Sequence, residues 1–188
     1  MAAGREAPRK TIQLTAQVVE GWLKSAAEQQ SLHALRHLMK AYRLATHYGE
    51  GAGSEGGAEQ FEIASSSSFN RLMISVLQQA DTIFRRMLKV EGKQKLAPAD
   101  LKKAERWRNV EPLLKAYIGN TLHVLGQVTD SNLVTFVLRR LRPSAALLAP
   151  FQKLTRKILK ASASSFSFTA RTLASQNGAR RDLLPLSF

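Results

Sequence analysis

The stretch FNRLMISVLQQADTIFRRMLKV, residues 69–90, constrains the fold more than any other part of the chain. Phe69, Leu72, Met73, Val76, Leu77, Ala80, Ile83, Phe84, Met87 and Leu88 recur at three- and four-residue spacing for about five turns. In a strand these side chains would fall on both faces, whereas on a helix they form one stripe. A long helix with one apolar face has to be covered, so the pattern predicts a core built by helix packing. It is better explained by packing than by a cofactor. Ser68 opens this helix, and Gly92 with the lysine-rich EGKQK ends it.

The neighbouring segments read the same way. Thr15 is placed to cap a helix over about Ala16 to Gln29, with Val18, Val19, Trp22, Leu23 and Ala26 on one side. Ser31 caps a second, whose stripe is Leu32, Leu35, Leu38, Met39, Tyr42 and Ala45 and whose stop is Gly49. A short helix is expected from Pro98 to about Arg106. A longer one is expected from Pro112, at its first turn, to Val128, carrying Leu114, Tyr117, Ile118, Thr121 and Leu125. Asp130 or Ser131 caps a helix over Asn132 to Arg142, which Pro143 stops. SAALLAP makes a short helix or turn, and Phe151 to Ala161 is the last helical run. No convincing period-two alternation is found between turn signals. The fold class is therefore all-α, and successive helix pairs favour a helical-repeat, HEAT-like α-solenoid fragment over a four-helix bundle.

Three segments fall outside the helices. Residues 1–14 read as a flexible N-terminus, and residues 49–68, rich in Gly, Ser and Glu, as a flexible loop within the helical domain 15–160. That loop holds a literal G-x-G-x-x-G at Gly51, Gly53 and Gly56. A dinucleotide fingerprint needs a strand before it and a helix after it, so the match carries no functional weight. Residues 161–188 are crowded with serine and read as a disordered tail.

Composition excludes several classes of function. The chain has no cysteine, which removes disulfides, thiolate zinc sites and cysteine nucleophiles. No apolar run is long enough to span a bilayer, and MAAGREAPRK lacks the apolar centre of a secretory signal, so a soluble intracellular protein is expected. His33 and His37 stand four apart on one helix, a metal-pair spacing, but Arg36 lies between them and no third ligand is evident. His47 and His123 stand alone. With no nucleophile elbow and no paired carboxylates, no catalytic residue, metal, cofactor or small-molecule substrate is expected, and the chain reads as a non-enzyme.

Charge supplies the positive signal. Residues 1–130 hold 18 Lys/Arg against 13 Asp/Glu, whereas residues 131–188 hold 10 against Asp182 alone. Within LVTFVLRRLRPSAALLAPFQKLTRKILK, residues 133–160, there are seven basic residues and no acid. At about 100° per residue, Lys153, Arg156, Lys157 and Lys160 share one side of the last helix. Leu154, Ile158, Leu159 and Ala161 lie opposite with Phe151. Arg139, Arg140 and Arg142 end the helix before. Basic side chains near a helix C-terminus also suit the macrodipole, at about 0.3–1 kcal/mol each. A face meant only for solubility would mix signs. The acid-free face therefore suits a polyanion: nucleic acid bound through phosphates, an acidic protein surface, or an anionic membrane, the last ranked lowest for want of bulky anchors.

The residues from Tyr117 to Lys160, YIGNTLHVLGQVTDSNLVTFVLRRLRPSAALLAPFQKLTRKILK, resemble the nucleolar complex protein 2 family. RWRNVEPLLKAYIGN, SSSFNRLMISVLQQADTIFRRML and ALRHLMKAYRLATHYG are similar to it as well, so the likeness runs from about Thr11 to Lys160. It implies a helical-repeat scaffold of the nucleus and nucleolus, acting in assembly and transport of the large ribosomal subunit precursor. The partners it implies are other nucleolar complex proteins and the pre-ribosomal particle, with direct RNA contact left open. Gln152 departs from the pattern, where a proline is expected. The resemblance stops at Lys160, which suggests a truncated or alternative form whose last helix lacks a covering neighbour.

Overall fold

The computed structural model describes residues 10–50, 59–93, 96–128, 130–161 and 163. The glycine motif at 51, 53 and 56, residues 1–9 and nearly all of the serine-rich tail lie outside the described residues.

Among the described residues seven α-helices follow one another: α1 Ala16–Glu28, α2 Leu32–Thr46, α3 Ser66–Met87, α4 Pro98–Lys103, α5 Trp107–Gln127, α6 Ser131–Leu141 and α7, residues 152–161. A 3₁₀ turn, Pro143–Leu148, joins α6 to α7. The fold is all-α, as the apolar stripes require.

Four of the helices start on a side-chain cap. Thr15 accepts from the Val18 amide at 3.3 Å, Ser31 from Ala34 at 3.3 Å and Ser65 from Ser68 at 3.1 Å. Asp130 accepts from Asn132 at 2.7 Å and Leu133 at 3.2 Å. Each satisfies an amide that has no partner inside the helix, worth about 1 kcal/mol. α4 ends at Lys103 rather than about Arg106, and two helix starts differ from expectation. α3 starts at Ser66 rather than after Ser68, because Ser65, the first of four serines, takes the cap. α5 starts at Trp107, leaving Pro112 inside the helix rather than at its first turn. Proline removes one rung there, but burial of Trp107 and Val110 carries the helix one turn further back.

Two strands, β1 Lys10–Leu14 and β2 Glu59–Ile63, pair in parallel with Lys10 opposite Glu59 and Leu14 opposite Ile63. Both fall in segments expected to be flexible, so the N-terminus and the loop are ordered at those points. Each strand leads directly into a cap and then a first helix: β1, Thr15, α1 and β2, Ser65, α3. The order strand–cap–helix recurs about 50 residues later, and the crossover through α1 and α2 lets the two strands run parallel.

α1 packs on α2 and α3, α3 packs on α6, and α2 packs on α5. Helices thus stack in two layers, α1–α3–α6 and α2–α5, around a continuous core. At its centre Tyr42, Phe84 and Tyr117 are fully buried, with Tyr117 5.9 Å from Tyr42 and 5.8 Å from Phe84, ring centre to ring centre. Thr121 gives its hydroxyl proton to the Tyr117 carbonyl at 2.8 Å, so the Tyr42 hydroxyl is the donor in its 3.0 Å bond to Thr121. Burial pushes the Tyr42 phenol up to about 12, against a smaller opposing effect of that bond. Burial raises Tyr117 further, and its hydroxyl has no hydrogen-bond partner among the described residues.

Arginines tie the repeats together. Arg85 pairs with Asp81 at 2.8 Å and donates to the Lys93 carbonyl at 2.6 Å and the Pro143 carbonyl at 2.8 Å, joining α3 to the turn after α6. Arg86 bonds Glu91 at 2.8 Å and the Ala27 carbonyl at 3.2 Å. Arg106 reaches the Gln30 carbonyl at 3.1 Å, where Gln30 turns the chain between α1 and α2 at φ 50°. Arg71 pairs with Glu20 across α3 and α1.

Candidate functional site

The basic stretch is built by α6, the 3₁₀ turn and α7. Pro143 cannot continue α6 and begins the 3₁₀ turn instead. The Phe151 amide bonds the Leu148 carbonyl at 2.8 Å, and Thr155 closes the first turn of α7 onto the Phe151 carbonyl at 2.9 Å. Phe151 anchors this end to α5. Its ring stacks on Trp107 at 5.8 Å, and the Lys115 ammonium lies 5.4 Å from its centre. Ile158 is buried about two turns further along, and Leu154 is half-buried.

All seven expected basic residues, Arg139, Arg140, Arg142, Lys153, Arg156, Lys157 and Lys160, are exposed. Leu159 does not pack with Phe151 and Ile158 as its position on the wheel suggested. It is 64% exposed, beside the cations, because α7 meets the body along a narrower stripe than the wheel allows.

Among the described residues, Arg139, Arg140, Arg142, Lys153, Arg156 and Lys157 form no salt bridge. Lys160 does interact within the chain. The Arg140 guanidinium lies 5.4 Å from the Phe136 ring, a cation–π contact that holds it without neutralising it. The contrast with Arg71, Arg85, Arg86 and Arg106, each paired or bonded inside the molecule, separates structural cations from free ones. Two of the free ones border openings, each a different one. Arg156 flanks a shallow groove with Ala145, Ala149, Gln152 and Thr155. Arg142 borders another with Lys93, Pro143 and the Asp81–Arg85 pair.

The histidines are arranged differently from their expected roles. His37 is buried, stacked on Trp22 at 5.0 Å and edge-on to Phe61 at 5.8 Å, with the His33 ring 4.1 Å away. That pair belongs to packing between α1, α2 and β2. His47 and His123, which stood alone in the sequence, come together. Their rings stack with centres 3.9 Å apart, and both nitrogens lie 2.7 Å from Glu50 oxygens. Hydrogen bonding from His47, with smaller help from His123, holds the Glu50 carboxyl below its usual range despite some desolvation. Nothing local could reveal this meeting, since 76 positions separate the two histidines in sequence.

No helix among the described residues is long and apolar enough to cross a membrane. No protein-family model matches the chain. It is 40% identical over 155 residues to nucleolar complex-associated protein 2 of Arabidopsis thaliana, covering 81% of this chain and 20% of that protein. It is 32% identical over 151 residues to protein REBELOTE, also of Arabidopsis thaliana, covering 79% and 25%. A third relative, nucleolar complex protein 2 of Drosophila melanogaster, is 23% identical over 153 residues, covering 78% and 20%. The chain thus spans a fifth to a quarter of the curated relatives it matches. On the strength of these matches, which take in about four-fifths of its residues, the chain belongs to the nucleolar complex protein 2 family.

Proposed function

We propose that this segment is a non-enzymatic helical scaffold of the nucleolus, acting in assembly and transport of the large ribosomal subunit precursor. It holds partner helical proteins, other nucleolar complex proteins in particular, and contacts pre-ribosomal RNA through the basic residues of α6 and α7. The relatives' names and the resemblance of residues 11–160 support the setting. One observation carries the RNA contact: Arg139, Arg140, Arg142, Lys153, Arg156 and Lys157 are exposed and form no ion pair within the described chain. Like charges held together repel, and phosphates relieve that repulsion while releasing counterions.

Replacing Lys153, Arg156, Lys157 and Lys160 together with glutamine tests this. RNA affinity falls, and the slope of log K against log salt flattens by up to roughly 3 for four lost phosphate contacts on a single strand. Unchanged affinity and slope in that variant would remove RNA from the reading.

Leu159 favours a second reading. An exposed leucine among cations suits an acidic protein surface with an apolar contact at its centre, as protein interfaces commonly have. Under that reading capture of the partner survives nuclease, is lost in salt and is lost again in Leu159→Ser.

A further inference from the structure

We propose that His47, Glu50 and His123 form a binding site for a divalent transition metal, Zn²⁺ by chemistry, which pins the end of α2 to α5. The three ligating atoms lie within 4.8 Å of one another, and no other group of three His, Cys, Asp or Glu among the described residues is so placed. Four-coordinate zinc at about 2.0–2.1 Å from each ligand needs donors about 3.3 Å apart. Both nitrogens stand 2.7 Å from Glu50 oxygens and the three ligand atoms lie within 4.8 Å of one another, so rotation of the stacked rings and the carboxylate brings them to one ion without moving the helices.

The local framework favours this use. His47 is the C-cap of α2, and its amide bonds the Arg43 carbonyl at 3.1 Å, which fixes where its ring leaves the helix. Gly49, at φ 90°, turns the chain back, and the Glu50 amide closes the turn on the His47 carbonyl at 3.2 Å. His123 comes from near the C-terminal end of α5, a rigid element across the helix layer. Its Nε2 is shielded from solvent and close to Glu50 Oε1, yet it lies off the hydrogen-bonding direction and makes no hydrogen bond. A buried imidazole nitrogen without a hydrogen bond, close to a carboxylate and to a second imidazole, has its lone pair available to a metal ion.

Two imidazoles and one carboxylate select borderline metals over Mg²⁺ and Ca²⁺, which want oxygen. With three protein ligands the fourth position is left to water. Binding replaces the His47–Glu50 hydrogen bond with three coordinate bonds and frees any proton held between them. The ion joins two helices far apart in sequence, so it stabilises the folded state by linkage. A hundredfold excess over Kd raises Tm by roughly 5–10 °C in a domain of this size.

The test is to titrate the full 188-residue chain with Co²⁺ alone, reading visible absorption, and then to displace it with Zn²⁺. Melting with and without Zn²⁺ is measured alongside. One equivalent of Co²⁺ should give the intense bands of four-coordinate cobalt, and Zn²⁺ should abolish them and raise Tm. H47Q and H123Q should lose both effects, while H33Q should keep them, which excludes the His33–His37 pair. Circular dichroism checks that the metal-free variants are folded. If H123Q is not, E50Q, which changes only an exposed residue outside the helices, decides in its place. Absence of the cobalt bands in the wild type, or equal metal response in the folded variants, overturns the site.

Discussion

At the scale of single residues, the two central tyrosines show that burial alone does not set a side chain's worth. Tyr42 and Tyr117 are both fully enclosed, but only Tyr42 has a partner for its hydroxyl, in Thr121. Tyr42→Phe should therefore cost about 1 kcal/mol in urea unfolding, whereas Tyr117→Phe should be neutral or stabilising because it removes an unpaired polar atom. The phenols also make stability depend on alkaline pH. Tyr42 titrates near 12 in the fold against about 10 when unfolded, so the folded state keeps its proton longer. Its contribution is whole below about pH 10 and is lost as pH rises through about 12, at roughly 2–3 kcal/mol. Tyr42→Phe should flatten the loss of stability between those limits. An unchanged pH profile in the variant would contradict the assignment. The helical stripes placed both tyrosines in the core from sequence. The bond from Tyr42 to Thr121 spans 79 positions and has no local signature.

At the scale of elements, the helices were legible and the strands were not, for one physical reason. A helix spreads its pattern over many residues and carries its own hydrogen bonds, so α3 announces itself through ten apolar positions. A five-residue strand offers only two or three alternations and leaves its backbone bonds to a distant partner. Ile12 and Leu14 in β1, and Phe61 and Ile63 in β2, do alternate with exposed Thr11, Gln13 and Glu62. Those short signals sat beside Gly- and Ser-rich stretches and read as loop. The consequence can be measured at Leu14, 1% exposed in a segment taken for a flexible end. Leu14→Ala should cost roughly 2–4 kcal/mol in denaturant unfolding; a cost below about 0.5 kcal/mol would mean that β1 contributes nothing to the fold. Pro112 is the same lesson reversed. Its local preference for a helix start lost to the burial of Trp107, which no window of sequence can weigh.

At the scale of the molecule, stability is distributed unevenly along the stack. The α1, α2, α3 and α5 helices share the aromatic centre, while α7 is held chiefly through Phe151, Leu154 and Ile158. Phe151→Ala should release this end before the rest. Amide exchange in residues 152–161 should quicken by an order of magnitude or more, with little change in α1 to α3. Uniform acceleration over all helices would show instead that the whole chain unfolds as one unit. The candidate basic residues could be named from sequence because charge is composition and needs no partner to be seen. The placing of Arg142 and Arg156 at two separate grooves could not, since it depends on how the 3₁₀ turn sets α7 against α6.

The internal use of Arg71, Arg85, Arg86 and Arg106 has a consequence for how the molecule meets anything charged. Arg71, Arg85 and Arg86 face carboxylates of their own, whereas the six cations from Arg139 to Lys157 that form no ion pair within the described chain keep their field in solution. For the RNA contact proposed above, that field acts over about one Debye length, near 10 Å in ordinary salt. For that proposed contact, added salt should slow arrival before it loosens what has already docked.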